Sequence, residues 1–151
     1  MVFSGSKRAR VVVVDDHELT RLTLKLLLQS QPEVELVGLA SNGLEAIESV
    51  ERYHPDVVIL DLQMPIMDGF ITATRIKAIA AGIRILGYSS VDDPQLQASL
   101  QASQIDAFCP KDISSQILID LIKLLGTSQL NESIHTSIHN VAELLLLKGS
   151  Q

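Results

Sequence analysis

The sequence predicts a single α/β domain with a parallel sheet, and three observations carry that expectation. Val11 to Val14 and Val57 to Leu60 are runs of four consecutive apolar residues, the pattern of strands buried on both faces. Between such runs lie stretches whose apolar residues recur at helical spacing, so strand and helix alternate five times over about 120 residues, with right-handed crossovers covering both faces of the sheet. The length of 151 residues and the 46% hydrophobic content suit one domain with a real core and room for a modest appendage.

Met1 to Arg10 is polar, with Gly5 and the basic residues Lys7, Arg8 and Arg10, and reads as a solvated tail or the start of a strand. Val11 to Val14 is the first strand and ends on Asp15 and Asp16. From Glu18 to Gln29 the residues Leu19, Leu22, Leu26 and Leu27 recur at helical spacing, and Gln31 and Pro32 stop this first helix. Glu35 to Ala40 is a short second strand. Asn42 and Gly43 make a turn into a second helix, whose apolar face is Leu44, Ile47, Val50 and the ring of Tyr53. Pro55 ends the loop before the central strand, Val57 to Leu60, which delivers Asp61 at its tip.

In the loop after Asp61, Pro65 opposes strand extension and Asp68 is placed to cap a helix from Gly69 or Phe70. That third helix, Phe70 to Ala80, offers Phe70, Ile71, Thr74 and Ile76 for packing and is closed by Gly82. Ile83 to Tyr88 is a fourth strand ending on Ser89 and Ser90. Pro94 to Ser103 makes a fourth helix and Ala107 to Cys109 a very short fifth strand, which Pro110 suits to an edge. Ile113 to Leu125 is a fifth helix before Gly126.

Composition narrows the function. Twelve basic against 18 acidic residues give a formal charge of -6, which argues against nonspecific nucleic-acid binding. The lone Cys109 excludes an intrachain disulfide and any cysteine-based metal cluster. No apolar run reaches membrane-spanning length, and Met1 to Arg10 lacks the apolar core of a secretion signal, so a cytoplasmic location is expected by default.

The strand tips carry the chemistry, because ligands collect at the carboxyl ends of strands in an open parallel sheet. Those tips present Asp15 and Asp16, Asp61, Ser89, and Lys111 just beyond Pro110. Carboxylates held together repel unless a cation neutralises them, and an all-oxygen cluster suits Mg²⁺ or Mn²⁺; zinc is disfavoured without thiols. A carboxylate can also attack a phosphoryl group to give an acyl phosphate, with metal and lysine stabilising the charge and the Ser89 hydroxyl donating to the arrived group.

The segments VVVVDDH (Val11 to His17), LDLQMPIMDG (Leu60 to Gly69), YSS (Tyr88 to Ser90) and FCPK (Phe108 to Lys111) resemble, in order and spacing, the receiver domain of a two-component response regulator. The resemblance covers residues 8–126, leaving 1–7 as a tail and 127–151 as a linker or extra helix. It implies a flavodoxin-like sheet of order 2-1-3-4-5 and a phosphoryl group taken from a sensor histidine kinase or phosphotransfer protein. It implies further that Asp61 is the phosphoacceptor and Asp16 the direct Mg²⁺ ligand, with Asp15 acting through metal-bound water and the backbone carbonyl of Gln63 completing the coordination. Lys111 would pair with Asp61 at rest, while Ser89 and Phe108 would be the switch hydroxyl and the aromatic rotamer switch. For Ser89 and Phe108 the plain alternatives are a strand end and edge-strand core.

The DDH opening and the lysine followed by Asp112 resemble the branch that carries a C-terminal LuxR/NarL-type helix-turn-helix, for which the residues after the linker are too few. DNA contact is therefore expected only through an output domain outside this sequence. Two other readings stay open: a stand-alone or degenerate receiver acting as an interaction module, and a small Mg²⁺-dependent aspartyl-nucleophile phosphatase. The phosphatase needs a second acid where Gln63 stands, so slow self-dephosphorylation is the most expected of this chain. A flavodoxin function is disfavoured by acids where phosphate recognition wants backbone donors.

Two departures from the receiver pattern stand out. Ser90 takes the place of a commoner alanine, and Pro110 precedes rather than follows the lysine, which predicts an unusual exit from strand five. Cys109 reads as a small buried hydrophobe. His17 invites a metal-ligand reading beside Asp15 and Asp16, with an exposed structural place at the start of the first helix favoured over it. His54 has no expected chemical role, and His135 with His139 reads as an exposed helical face rather than a metal clamp. In the tail, Ile134, Ile138, Val141, Leu144 and Leu145 describe an amphipathic helix from Asn131 to Lys148, expected as a contact helix for a homodimer or for packing on the receiver.

Overall fold

The apolar runs are strands covered on both faces. In the computed structural model, which describes residues 7–64, 67–89 and 104–127, β1 (Ala9–Val14) is followed by α1 (Glu18–Gln29), β2 (Val34–Ala40), α2 (Gly43–Tyr53), β3 (Val57–Asp61), α3 (Gly69–Ile79) and β4 (Arg84–Ser89). β5 (Ala107–Pro110) and α4 (Ser115–Gly126) complete the described elements. The helix expected over Pro94 to Ser103 and the one over Asn131 to Lys148 lie outside the described residues. The five strands form one parallel sheet of order β2-β1-β3-β4-β5, the flavodoxin-like arrangement, with β5 at an edge as its proline requires.

Alternation along each strand divides the core in two. Val11, Val13 and Ile59 pack with Leu24 and Leu28 of α1 and with Leu118, Ile119, Leu121, Ile122 and Leu125 of α4. On the other face, Val12, Val14, Val58, Leu60 and Ile85 pack with Ala46 and Val50 of α2 and with Ala73 and Ile76 of α3. This sandwich fixes the strand tips, because every central strand is held from above and below.

Three helices pack only in part on the faces the sequence suggested, with Val50 of α2 and Phe70 and Ile76 of α3 packed as expected. In α1 the buried residues are Leu24 and Leu28, while Leu19, Leu22 and Leu26 are exposed and Leu27 is partly buried. A leucine-rich helix offers two stripes at helical spacing, and the sheet took the other one. In α2, Leu44 is exposed, and small Ala46 with Val50 makes the close contact with the sheet. In α3, Ile71 and Thr74 face solvent, whereas Thr72, Ala73 and Ile76 are buried.

The helix ends also differ. α3 stops at Ile79 and is capped by extended Ala80, not closed by Gly82; the Ala80 N–H bonds Ile76 O, and Ile83 N–H donates to Ala80 O at 3.1 Å, so the turn needs no left-handed residue. α4 starts at Ser115, since the Ser114 hydroxyl accepts from Ile117 N–H, and runs through Gly126. His54, for which no chemical role is expected, has a structural one: it caps α2 in the left-handed conformation (φ 49°), and its carbonyl accepts from Arg10 Nη1 at 3.1 Å. Pro55 disfavours a right-handed helical His54, which makes this the stopping point. Asn42 and Asp68 act as N-caps, each accepting at 2.9 Å from the N–H three residues on.

A buried ion pair holds β4 to α3. Asp106 Oδ2 accepts from Lys77 Nζ and from Ile85 N–H, both at 2.7 Å, and Arg84 Nη1 lies 3.7 Å from Oδ1.

Candidate functional site

The acids at the ends of β1 and β3 meet because those strands are neighbours in register, Val14 opposite Leu60. Asp15 N–H continues the ladder to Ala40 O at 3.0 Å, which turns its side chain into the crevice above the sheet. Asp15 and Asp61 are each only 1% exposed. Lys111, just past β5, is anchored by its N–H on Ser89 O at 2.9 Å. This is how the chain leaves β5 despite Pro110. Its ammonium reaches back across the sheet, 2.8 Å from Asp15 Oδ2 and 3.3 Å from Asp61 Oδ2. The lysine is thus shared, and lies nearer Asp15 than the Asp61 with which it was expected to pair.

One cation does not satisfy this cluster. Burial pushes the Asp61 carboxyl up to about 6, with the Asp15 charge adding to the rise and the Gln63 N–H and Lys111 opposing it. Burial also opposes charge on Lys111, but the hydrogen bond to Asp15 and the attraction of Asp61 hold its pKa above the usual lysine value. Ligand atoms of Asp15, Asp16, His17 and Asp61 all lie within 4.8 Å of one another. Among the described residues, Asp15 Oδ2 and Asp16 Oδ1 are buried without a well-directed hydrogen bond, and ion-pair contacts reach them from Lys111 and His17. Crowded carboxylate oxygens with spare lone pairs fit a hard dication.

His17 has both of its expected characters. It is the N-cap residue of α1 and well exposed, yet its Nδ1 sits 3.1 Å from Asp15 Oδ1 and 3.1 Å from Asp16 Oδ1. The loop after Asp61 is tied to the acid it follows, with Gln63 N–H donating to Asp61 Oδ1 at 2.9 Å. Gly69 closes that loop from behind: a Cβ there would meet Asp61 O and the Leu62 Cα at 2.6 Å.

Ser89 is buried at the tip of β4, in register with Pro110 of β5. Phe108 stands apart from the ion cluster, in the core on the α2 and α3 side. Cys109 is buried, and burial pushes its thiol up to about 12, the chemistry of a packing residue. Two residues at the site were not singled out as functional from the sequence. Arg21 Nη1 donates to Asp15 O at 2.7 Å, one turn into α1. Tyr88 Oη donates to Lys111 O at 3.3 Å, and its ring lies 5.8 Å from Lys111 Nζ. The signal for Tyr88 was its place next to Ser89 on a strand tip.

No described helix is long and apolar enough to cross a membrane. The family model for the response regulator receiver domain matches residues 11–123. A protein-glutamate methylesterase/protein-glutamine glutaminase of Syntrophomonas wolfei is 36% identical over 119 residues, covering 78% of this chain and 33% of that protein. The chain spans about a third to two fifths of the length of the first such relatives. Among solved structures, the signal receiver domain of the response regulator NarL of Mycobacterium tuberculosis superposes with a TM-score of 0.69 at 33% identity, covering 78% of this chain and 98% of that one. The response regulator domain of Thermotoga maritima CheB gives a TM-score of 0.65 at 25% identity, covering 93% of this chain and 96% of that one. With the parallel sheet, the acids at its central strand tips and the lysine that spans them, these matches establish that the chain belongs to the response regulator receiver domain family.

Proposed function

We propose that Asp61 is the phosphoacceptor of a two-component signalling receiver, working with Mg²⁺, or Mn²⁺ in its place, held by Asp16, Asp61 and the backbone carbonyl of Gln63, with Asp15 in support. The observation that carries this reading is the shortage of positive charge: buried Asp15 and Asp61 share one lysine, and Asp15 and Asp16 keep oxygens without directed donors. A dication held there would supply the missing charge and offset the repulsion between the acids and an incoming phosphoryl group. An Asp61 oxygen attacks phosphorus as the bond to the donor breaks, and the electron pair leaves with the donor group, the imidazole of a phosphohistidine or the acetate of acetyl phosphate. Lys111 exchanges its contact with Asp61 for a phosphoryl oxygen, and the Ser89 hydroxyl donates to another. Movement of Ser89 and Phe108 then shifts the equilibrium between two surfaces at the β4 and β5 edge.

The donor in this reading is a sensor histidine kinase or phosphotransfer protein in the cytoplasm. The output is a change in protein contacts, as the regulatory part of a transcription regulator whose DNA contacts lie outside this chain. Exposed Gln63 in place of an acid supports slow self-dephosphorylation rather than dedicated phosphatase turnover. Incubation with acetyl phosphate and Mg²⁺, followed by intact mass measurement, should show one added phosphoryl in the wild type and none in Asp61→Asn. The same adduct in both proteins would reject the assignment.

A further inference from the structure

We propose that His17 Nδ1 is a nitrogen ligand of the metal site, so that the site selects a first-row transition dication that accepts imidazole, such as Co²⁺, over Mg²⁺. The inference rests on the reading of Asp16 and Asp61 as metal-holding groups, and adds to it one residue and one preference.

His17 occupies the N-cap position of α1, where a side chain ordinarily turns toward the free N–H groups of the first helical turn. It makes no such bond. Its backbone is extended (φ -92°, ψ 118°) and its N–H donates to Asp15 Oδ1 at 2.8 Å, which holds the ring over the acids instead. Nδ1 lies 3.1 Å from Asp15 Oδ1 and 3.1 Å from Asp16 Oδ1, oxygens of two different residues. One ring nitrogen carries at most one proton, and Asp16 Oδ1 takes no directed hydrogen bond among the described residues. Hydrogen bonding therefore accounts for only one of the two approaches.

Coordination accounts for both. Around an octahedral ion with bonds of about 2.1 Å, adjacent ligand atoms stand about 3 Å apart, which is the spacing of Nδ1 from each carboxylate oxygen. Asp61 belongs to the same group, ligand atoms of all four residues lying within 4.8 Å of one another. The His17 side chain is 65% exposed against 1% for Asp15, so the imidazole closes the open side of a cluster whose acids rise from the sheet. Coordination takes the neutral ring with its proton on Nε2. Mg²⁺ keeps to oxygen ligands and dehydrates reluctantly, whereas an imidazole nitrogen suits the later first-row ions, whose affinity rises from Mn²⁺ through Co²⁺ to Ni²⁺.

The test uses the full chain with His135→Gln and His139→Gln, which removes the other histidines spaced to take a metal, and compares it with the same chain carrying His17→Ala. Calorimetric titration with Co²⁺ and with Mg²⁺ should show the preference for Co²⁺ narrowed at least about tenfold by the loss of the imidazole, a factor that even the outer-shell partners of a ligand command. Electron spin-echo spectra of the Mn²⁺-loaded protein should carry an imidazole ¹⁴N modulation, and His17→Ala should abolish it while Mn²⁺ stays bound. An equal Co²⁺ preference in the two proteins, or bound Mn²⁺ without nitrogen modulation, would overturn the proposal and leave the carboxylate site standing. Failure of all three ions to bind would overturn it together with the metal reading on which it rests.

Discussion

Two buried carboxylates with lysine partners sit at different places on this sheet, and they solve the same electrostatic problem differently. Asp106 is 4% exposed and has donors of its own: Lys77 and the Ile85 N–H, both at 2.7 Å, with Arg84 nearby. Asp61 is 1% exposed and shares Lys111, at 3.3 Å, with an Asp15 that holds it more closely at 2.8 Å. A buried acid with a full set of donors belongs to the fold, whereas one left short of positive charge is poised to recruit it from outside.

The sharpest way to break this contrast is to remove each acid in turn. Asp106→Ala takes the counter-charge from Lys77, whose ammonium keeps its bond to Ile83 O, and should cost about 3 to 5 kcal/mol, read from urea unfolding. A loss below about 1 kcal/mol would mean that Asp106 behaves like a surface pair and that the contrast is false.

Asp61→Asn should act with the opposite sign, raising stability at pH 7 by about 1 to 3 kcal/mol as it removes one of two crowded charges. The pH profile separates this from a packing effect. The folded-state value of about 6 lies above the ordinary 3.8, so between them the folded chain holds a proton that the unfolded chain has released. Stability contributed by protonated Asp61 is therefore lost as pH rises through that window, and the asparagine variant should show a flatter profile across it. Identical slopes in the two proteins would remove the electrostatic explanation.

The smallest expected effect is that of the metal. Mg²⁺ at about ten times its dissociation constant should add about 1.4 kcal/mol to the wild type, and chelation should reverse it. Asp16→Ala should lose this gain while Asp106 and its partners are untouched. An equal gain in Asp16→Ala would move the ion to another place.

The contrast also marks where sequence reasoning succeeds. Val11 to Val14 and Val57 to Leu60 were legible because burial on both faces leaves an unbroken apolar run, and the acids ending those runs announced the site. Lys111 was legible through its place beyond the last strand. The face of α1 was not, since ELTRLTLKLLLQ satisfies helical spacing on more than one side and only the sheet decides between them. Asp106 went unnoticed because Lys77 is 29 residues away and only the tertiary fold joins them. An acid embedded between Ile105 and Ala107 was the one hint. The sharing of Lys111 was hidden for a related reason: spacing along a chain says which groups reach one crevice, not which of them a cation approaches more closely.

Gly69 gives the site a constraint of another sort. Its φ is not in the left-handed region, so its identity follows from room rather than from backbone freedom. Any side chain there would press on the carbonyl of Asp61 and on Leu62 at 2.6 Å. The first turn of α3 thus serves as a fixed stop for Asp61, and even one methyl group inserted at this joint would force the Asp61 and Leu62 backbone to shift without altering a single charge. Substitutions at position 69 are for that reason a mechanical probe of the pocket, reporting how finely aim, as distinct from charge, is set.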